Sequence, residues 1–124
     1  MITRLAGVVR ETHRTTPIAL VTSFVSTPHE TTPNAAGMTL EIMREQTLDV
    51  YNRLVEYGDQ NVFLCDGTKI VDQEGLDRYS ADQCHHNGDG IEEIAERWVP
   101  EVMAKFGPTK GHADGDSDDA ETAA

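Results

Sequence analysis

Two short apolar runs with a long amphipathic stretch between them constrain this chain more than any other feature. Ile18-Ala19-Leu20-Val21-Thr22 and Asn61-Val62-Phe63-Leu64-Cys65 are almost unbroken in apolar character. Runs so short and so continuous read as strands buried on both faces, the kind that parallel sheets use. Between them, the stretch from Met38 to Tyr57 carries Leu40, Met43, Val50, Leu54 and Tyr57 at helical spacings. Gly58 follows in the position that favours a left-handed stop. A strand, a crossover of this length and a second strand pair in parallel, and the twist of strands makes the connection right-handed.

The flanks add helix. Met1 to Arg14 sets Ile2, Leu5, Ala6, Val9 and His13 on one face and Arg4, Arg10, Glu11 and Arg14 on the other, until Thr15-Thr16-Pro17 breaks the pattern. Ser26 to Gly37, with Pro28, Pro33 and Asn34, reads as loop. Beyond Asp66-Gly67 the chain is loose to about Cys84, and Lys69 to Tyr79 is the one place for a further minor strand. A last helix is expected from Asp89, with Asp89 and Glu92 as a capping box and Ile91, Ile94, Ala95, Trp98 and Val102 on one face. Pro100 is expected to kink or interrupt it. The fold class is therefore α/β, with about two parallel strands and three helices. Two strands make a poor sheet by themselves. The chain reads as the edge of a larger doubly wound sheet whose beginning is missing.

Composition narrows the partners. The 124 residues hold 22 acidic against 10 basic side chains, a net charge of −12. Such an excess speaks against a nucleic-acid or anionic-membrane partner, since both need a basic face. No apolar run approaches the roughly 20 residues of a membrane span, and no secretory leader is visible at Met1 to Gly7, so the expected location is cytoplasmic. Two cysteines make no disulfide framework. Asp114, Asp116, Asp118, Asp119 and Glu121 crowd a tail without large apolar residues, which is expected to stay disordered from about residue 109. The scarcity of lysine (Lys69, Lys105 and Lys110 only) also suits a high-salt cytoplasm.

In open α/β sheets the reactive groups gather at the carboxyl ends of the strands. Asp66, Ser23, Ser26 and the segment Tyr79 to Gly90 fall there, and the densest cluster is Asp82-Gln83-Cys84-His85-His86-Asn87. An aspartate three residues before a histidine can fold back onto the ring. One ring nitrogen then donates to the carboxylate, and the other is left as a base aimed at a nucleophile.

Asp82-x-x-His85-x-Asn87-x-x-Gly90, followed by a helix ending near Trp98, resembles the last block of the SGNH/GDSL hydrolases, serine esterases and acylhydrolases of a flavodoxin-like three-layer fold. The strand and loop from Thr16 to Asn34 and the strand leading into Asp66-Gly67 are similar to that family too, and the resemblance spans about Met1 to Lys105. His86 stands where the family commonly has proline. The resemblance implies a partial hydrolase domain over 1–108 in which His85 deprotonates a serine and Asp82 orients the ring. The Gly-Asp-Ser nucleophile block and the oxyanion donors have no place in this chain, so it is expected to be inactive alone. The implied substrate is a small-molecule ester, met once the missing first part is supplied. No cofactor and no metal are implied. His29 and Glu30 are the weak candidates for lining the substrate mouth.

Rival readings come from the same residues. Gly115-Asp116-Ser117 spells a nucleophile motif, but no buried strand precedes it to hold the serine rigid. Asp114, Asp116 and Asp118 imitate a calcium loop, with Asp119 where the turn wants glycine. Cys65, Cys84, His85 and His86 are zinc-type ligands whose spacing is wrong for a zinc site. Cys65 reads as a small buried residue, and Trp98 and Phe106 as helix packing. A non-catalytic alternative is an interaction module whose open edge, along Ile18 to Thr22, pairs with another chain as a homo- or hetero-oligomer.

Overall fold

The structure is a computed structural model that describes residues 2–106. Its elements, in chain order, are α1 (Ile2–Thr12), β1 (Ile18–Val21), α2 (Thr27–Glu30), α3 (Leu40–Glu56), β2 (Val62–Cys65), α4 (Gly67–Ile70), α5 (Gln73–Tyr79) and α6 (Gly88–Phe106). The two strands pair in parallel, with Ile18 beside Val62, Ala19 beside Phe63, Leu20 beside Leu64 and Val21 beside Cys65. The α/β class and the parallel pair are as the apolar runs require.

Helices lie on both faces of this ribbon. On one face Leu20 and Val62 meet Ala6 of α1 and Val50 of α3, with Ile18, Tyr51, Leu54 and Leu64 around them. On the other, Phe63 packs edge-on against Phe106 of α6 at 4.7 Å between ring centroids. A second small core joins Ile70, Val71 and Leu76 to Val21, Phe24 and Ile94 at the carboxyl end of the strands.

The long helix has well-formed ends. Thr39 Oγ1 accepts from the Ile42 amide at 3.1 Å, which caps the first turn. At the far end the Asp59 amide donates to the Leu54 carbonyl and the Gly58 amide to that of Val55, while Gly58 takes φ +89°. That pair of bonds is a Schellman stop, which needs the left-handed conformation only glycine adopts cheaply. Arg10 then clamps the turn: its guanidinium donates to both Asp59 oxygens, at 2.7 and 3.0 Å, and to the Asn61 carbonyl. The arginine holds the Asp59 carboxyl below its ordinary range.

Several expectations are corrected. Six helices stand among the described residues, not three. Pro28 fits the first turn of α2, where a missing amide hydrogen does no harm, so the expected loop contains a helical turn. Lys69 to Tyr79 forms α4 and α5 rather than a strand, because Asp66 and Asp72 cap both turns. The last helix is capped by Asn87, whose side chain accepts from the Gly90 amide at 2.9 Å, and not by Asp89. It continues as helix through Pro100. Leu5 and Tyr57, expected inward, are exposed, whereas Arg10, expected outward, is drawn in by Asp59. On α6 only part of the apolar stripe is covered: Ile94 packs inward, while Ile91 and Trp98 remain exposed. The acidic tail, with its nucleophile-like and calcium-like spellings, lies outside the described residues. No described helix is long and apolar enough to cross a membrane.

Candidate active site

The loop from Ser80 to Asn87 sits between α5 and α6 and is organised by one carboxylate. Asp82 Oδ1 accepts from the His85 amide at 2.7 Å, the Cys84 amide at 2.9 Å and the Ser80 hydroxyl at 3.1 Å. Its other oxygen lies 2.7 Å from His85 Nδ1. The His85 amide, then its imidazole and then the Cys84 amide hold this carboxyl well below the usual carboxylate range. An ionised carboxylate accepts and cannot donate, so the proton of the shared bond belongs to Nδ1. In a neutral ring Nε2 then carries a lone pair. The His85 side chain is 84% exposed and that of Asp82 55%. This is an ordered base at the surface, open to whatever approaches it.

The neighbours hold the loop in place. Ser80, almost fully buried, also accepts from the Cys84 amide at 3.0 Å. Gln83 takes φ +60°, unusual for a residue with a side chain. Its carbonyl accepts from the Ser26 hydroxyl at 2.8 Å, which ties the loop to the start of α2. Gly90 has no room for a side chain: a Cβ there would lie 2.6 Å from Tyr79 Cβ and 3.1 Å from His86 Cβ. His86 turns inward, its ring edge-on to Phe24 at 6.2 Å between centroids. Its Nε2 and Glu93 Oε2 are buried atoms without a hydrogen-bond partner among the described residues, and both residues line one small hollow under α6.

Beside this loop is a cavity of about 360 Å³. Its apolar wall is made by Phe24, Met38, Leu40, Met43 and Leu76, and Cys84 and His86 close it on the side of the loop. The wall is steadied by Arg44, which donates to both oxygens of Glu30 and to the carbonyls of Ser23 and Phe24. Arg44 in turn lowers the Glu30 carboxyl from its ordinary value, chiefly through their direct hydrogen bonds.

The residues singled out in the sequence divide accordingly. Asp82 and His85 are brought together. His29 lines the cavity, but Glu30 is occupied by Arg44. Ser23 and Ser26 both spend their hydroxyls on backbone carbonyls, of Leu40 and Gln83. Asp66 caps α4. Cys65 is fully buried at the end of β2, and burial pushes its thiol up. Cys84 is exposed, and no group of three or more metal-type side chains converges among the described residues. Arg44 and Ser80 were missed, as was the capping role of Asn87. Asn87-Gly88 ahead of a helical pattern is a readable capping signal, whereas nothing local marks Arg44, whose partner lies 14 positions away.

Comparison with known proteins changes the family assignment. No family model matches the chain, and no curated protein matches it. Among solved structures it is similar to a salicylyl-acyltransferase, SsfX3, from a tetracycline biosynthetic pathway, at 30% sequence identity and a TM-score of 0.69. The match covers 85% of this chain but 31% of that one, so the chain spans less than a third of the length of the structure it matches. The expected membership of the SGNH/GDSL hydrolases is thereby corrected: the similarity found is to an acyltransferase, with no family model behind the hydrolase assignment. The block that suggested it is a tight turn. An aspartate accepting from amides two and three residues ahead is a general way to start a helix or fold a loop, so its spelling alone carries no family.

Proposed function

We propose that Asp82 and His85 are the orienting and base members of an acyl-transfer centre, in which this chain supplies the base and another polypeptide segment supplies the nucleophile. The observation that carries the reading is the 2.7 Å bond from His85 Nδ1 to Asp82, whose other oxygen is held by two amides and a hydroxyl. A hydroxyl meeting Nε2 gives up its proton to the ring as its oxygen bonds to the acyl carbon of an ester. The imidazolium then returns that proton to the departing alcohol oxygen as the old C–O bond breaks. Asp82 favours the charged ring between the two transfers. The likeness to an enzyme named for salicylyl transfer supports acyl chemistry with an aromatic acyl group, delivered to an acceptor hydroxyl or to water. Among the described residues no serine is bonded to His85; Ser80 and Ser26 are committed elsewhere.

Two measurements test this. In nitrogen-15 spectra of the histidine rings, the neutral His85 ring is expected in the Nδ1–H form, and in a mixture of tautomers in Asp82→Ala. A ring that ignores that substitution sinks the orienting role. Against p-nitrophenyl esters the purified chain is expected to show no turnover sensitive to a serine-directed phosphonate; such turnover would place the nucleophile within this chain and overturn the division of labour.

A second reading is favoured by the exposed Ile91, Trp98 and Val99 on α6 and by a sheet of two strands among the described residues. In it the chain is a non-catalytic module that adds its open strand edge to a parallel strand of another polypeptide. Sedimentation at low concentration distinguishes the two: a strict monomer with an ordered His85 ring removes the second reading.

A further inference from the structure

The cavity beside the dyad carries an inference that rests on the acyl-transfer reading and goes past it. We infer that the cavity seats the acyl group itself and selects an aromatic acyl group over a straight aliphatic one. Its place is the first argument. Cys84 and His86 flank His85 in the chain and both line the cavity, while the His85 side chain itself lines a neighbouring hollow that shares His86, so an acyl group resting in the cavity lies against the dyad loop. Size is the second. An apolar cavity of roughly 150 Å³ is enough for benzene, and about 360 Å³ leaves space for a substituted ring.

Chemistry decides between ring and chain. Met38 and Met43 stand in the same wall as Phe24. Thioether sulfurs make favourable contacts with aromatic ring edges, and Phe24 offers an edge or face to a second ring, as it already does to His86. A flexible aliphatic chain gains none of these directional contacts and gives up more rotamer freedom on entering. None of the lining residues is lysine or arginine, so the cavity fits a neutral acyl unit of an ester or amide better than a free carboxylate anion.

Cys84 makes the test direct, because it is exposed at the cavity while Cys65 is fully buried. Benzamide and hexanamide serve as neutral probes. Benzamide is expected to slow iodoacetamide alkylation of Cys84 at least threefold more than hexanamide does at equal concentration. It should also shift the methyl signals of Met38 and Met43 while leaving that of Met103, on α6, in place. Leu40→Trp should abolish the protection by filling the cavity, and the methyl shifts in the unmodified chain decide the matter if that variant does not fold. Equal protection by both amides, protection surviving Leu40→Trp, or methyl signals unmoved by benzamide would each overturn the inference. Failure of the base reading is seen separately: the His85 ring form in Asp82→Ala is read with no ligand present, and benzamide protection in His85→Ala is expected to persist.

Discussion

Two segments wall the cavity, and each has a carboxylate bound to a basic side chain, yet they are built in opposite ways. Glu30 is held by Arg44 from a different helix, in a pair whose side chains are mostly covered. Asp82 is held by groups within three residues of itself, in a pair that is mostly open to solvent. The first arrangement depends on α3 being in place and contributes to stability, because a partly buried guanidinium shares its charge with a carboxylate and two carbonyls. The second depends on little beyond its own turn. Its ordering is local, so the histidine can stay exposed to a reactant without losing its orientation. One segment is fixed by the fold, and the other by the bonds of its own turn.

Breaking the long-range pair should have the largest effect. Arg44→Met removes the charged partner of Glu30, leaving it the Ser26 amide, and frees the Ser23 and Phe24 carbonyls. A loss of about 2–4 kcal/mol is expected, below the figure for a fully buried pair because both side chains keep some solvent. Thermal unfolding should show it as a fall of roughly 10 °C or more, while the His85 ring spectrum keeps its Nδ1–H form. A shift of only a degree or two would mean the wall stands without the pair.

Acid sharpens the same contrast. The Glu30 and Asp59 carboxyls are lowered in the folded chain by their arginine partners. A lowered carboxyl contributes stability that is fully present above its unfolded value, about 4. That contribution is lost as pH falls through the folded value, where the native state must take up the proton it had refused. Unfolding temperature is therefore expected to be flat above pH 5 and to fall below pH 4. The fall should be shallower in Arg44→Met, where the Glu30 part is already gone. Identical slopes in the two proteins would assign the acid sensitivity elsewhere, to Asp59, Asp66 and Asp82.

The local pair should yield less to truncation. Ser80→Ala deletes a nearly buried hydroxyl that donates to Asp82 and accepts from the Cys84 amide. About 1 kcal/mol of stability is expected to go, the usual net worth of such bonds. The more telling readout is the ring: Asp82 keeps both amides, so His85 should stay in one form. If Ser80→Ala scrambles it, the loop is less self-sufficient than its bonds suggest.

How far the sequence led can be seen in the same two segments. The dyad was legible because both partners, three residues apart, lie in one turn. The parallel strands were legible because Ile18 to Val21 and Val62 to Cys65 are apolar without interruption. The cavity was not legible, since its wall draws on three stretches, around Phe24, Leu40 and Leu76, that only the fold brings together. Periodicity also shows that a helix is two-sided without naming what covers each side. The stripe on α6 was correct as a stripe, but a ribbon of two strands offers too little surface to bury it, and Ile91 and Trp98 stay exposed. α5 was missed because Gly75 and one leucine make no stripe in seven residues; its signal was Asp72, whose side chain caps the turn through the Gly75 amide at 2.8 Å.

The smallest expected effect isolates the strain in the dyad loop. Gln83 holds a left-handed backbone at φ +60°, which disfavours a residue with a Cβ by about 1 kcal/mol relative to glycine. Its side chain partly repays this by accepting from Gln73 at 2.9 Å. Gln83→Gly removes both at once and gives the unfolded chain more freedom, a loss of roughly 0.5–1 kcal/mol. The three changes nearly cancel, so the unfolding midpoint should move by less than about 0.5 kcal/mol. Gln83→Val keeps the strain, loses the side-chain bond and adds a branched Cβ, and it should destabilise by about 1–2 kcal/mol. If glycine and valine behave alike, the left-handed turn at Gln83 is not what holds Asp82 and His85 in register, and the order of the loop rests on the Asp82 carboxylate and the hydroxyls of Ser80 and Ser26.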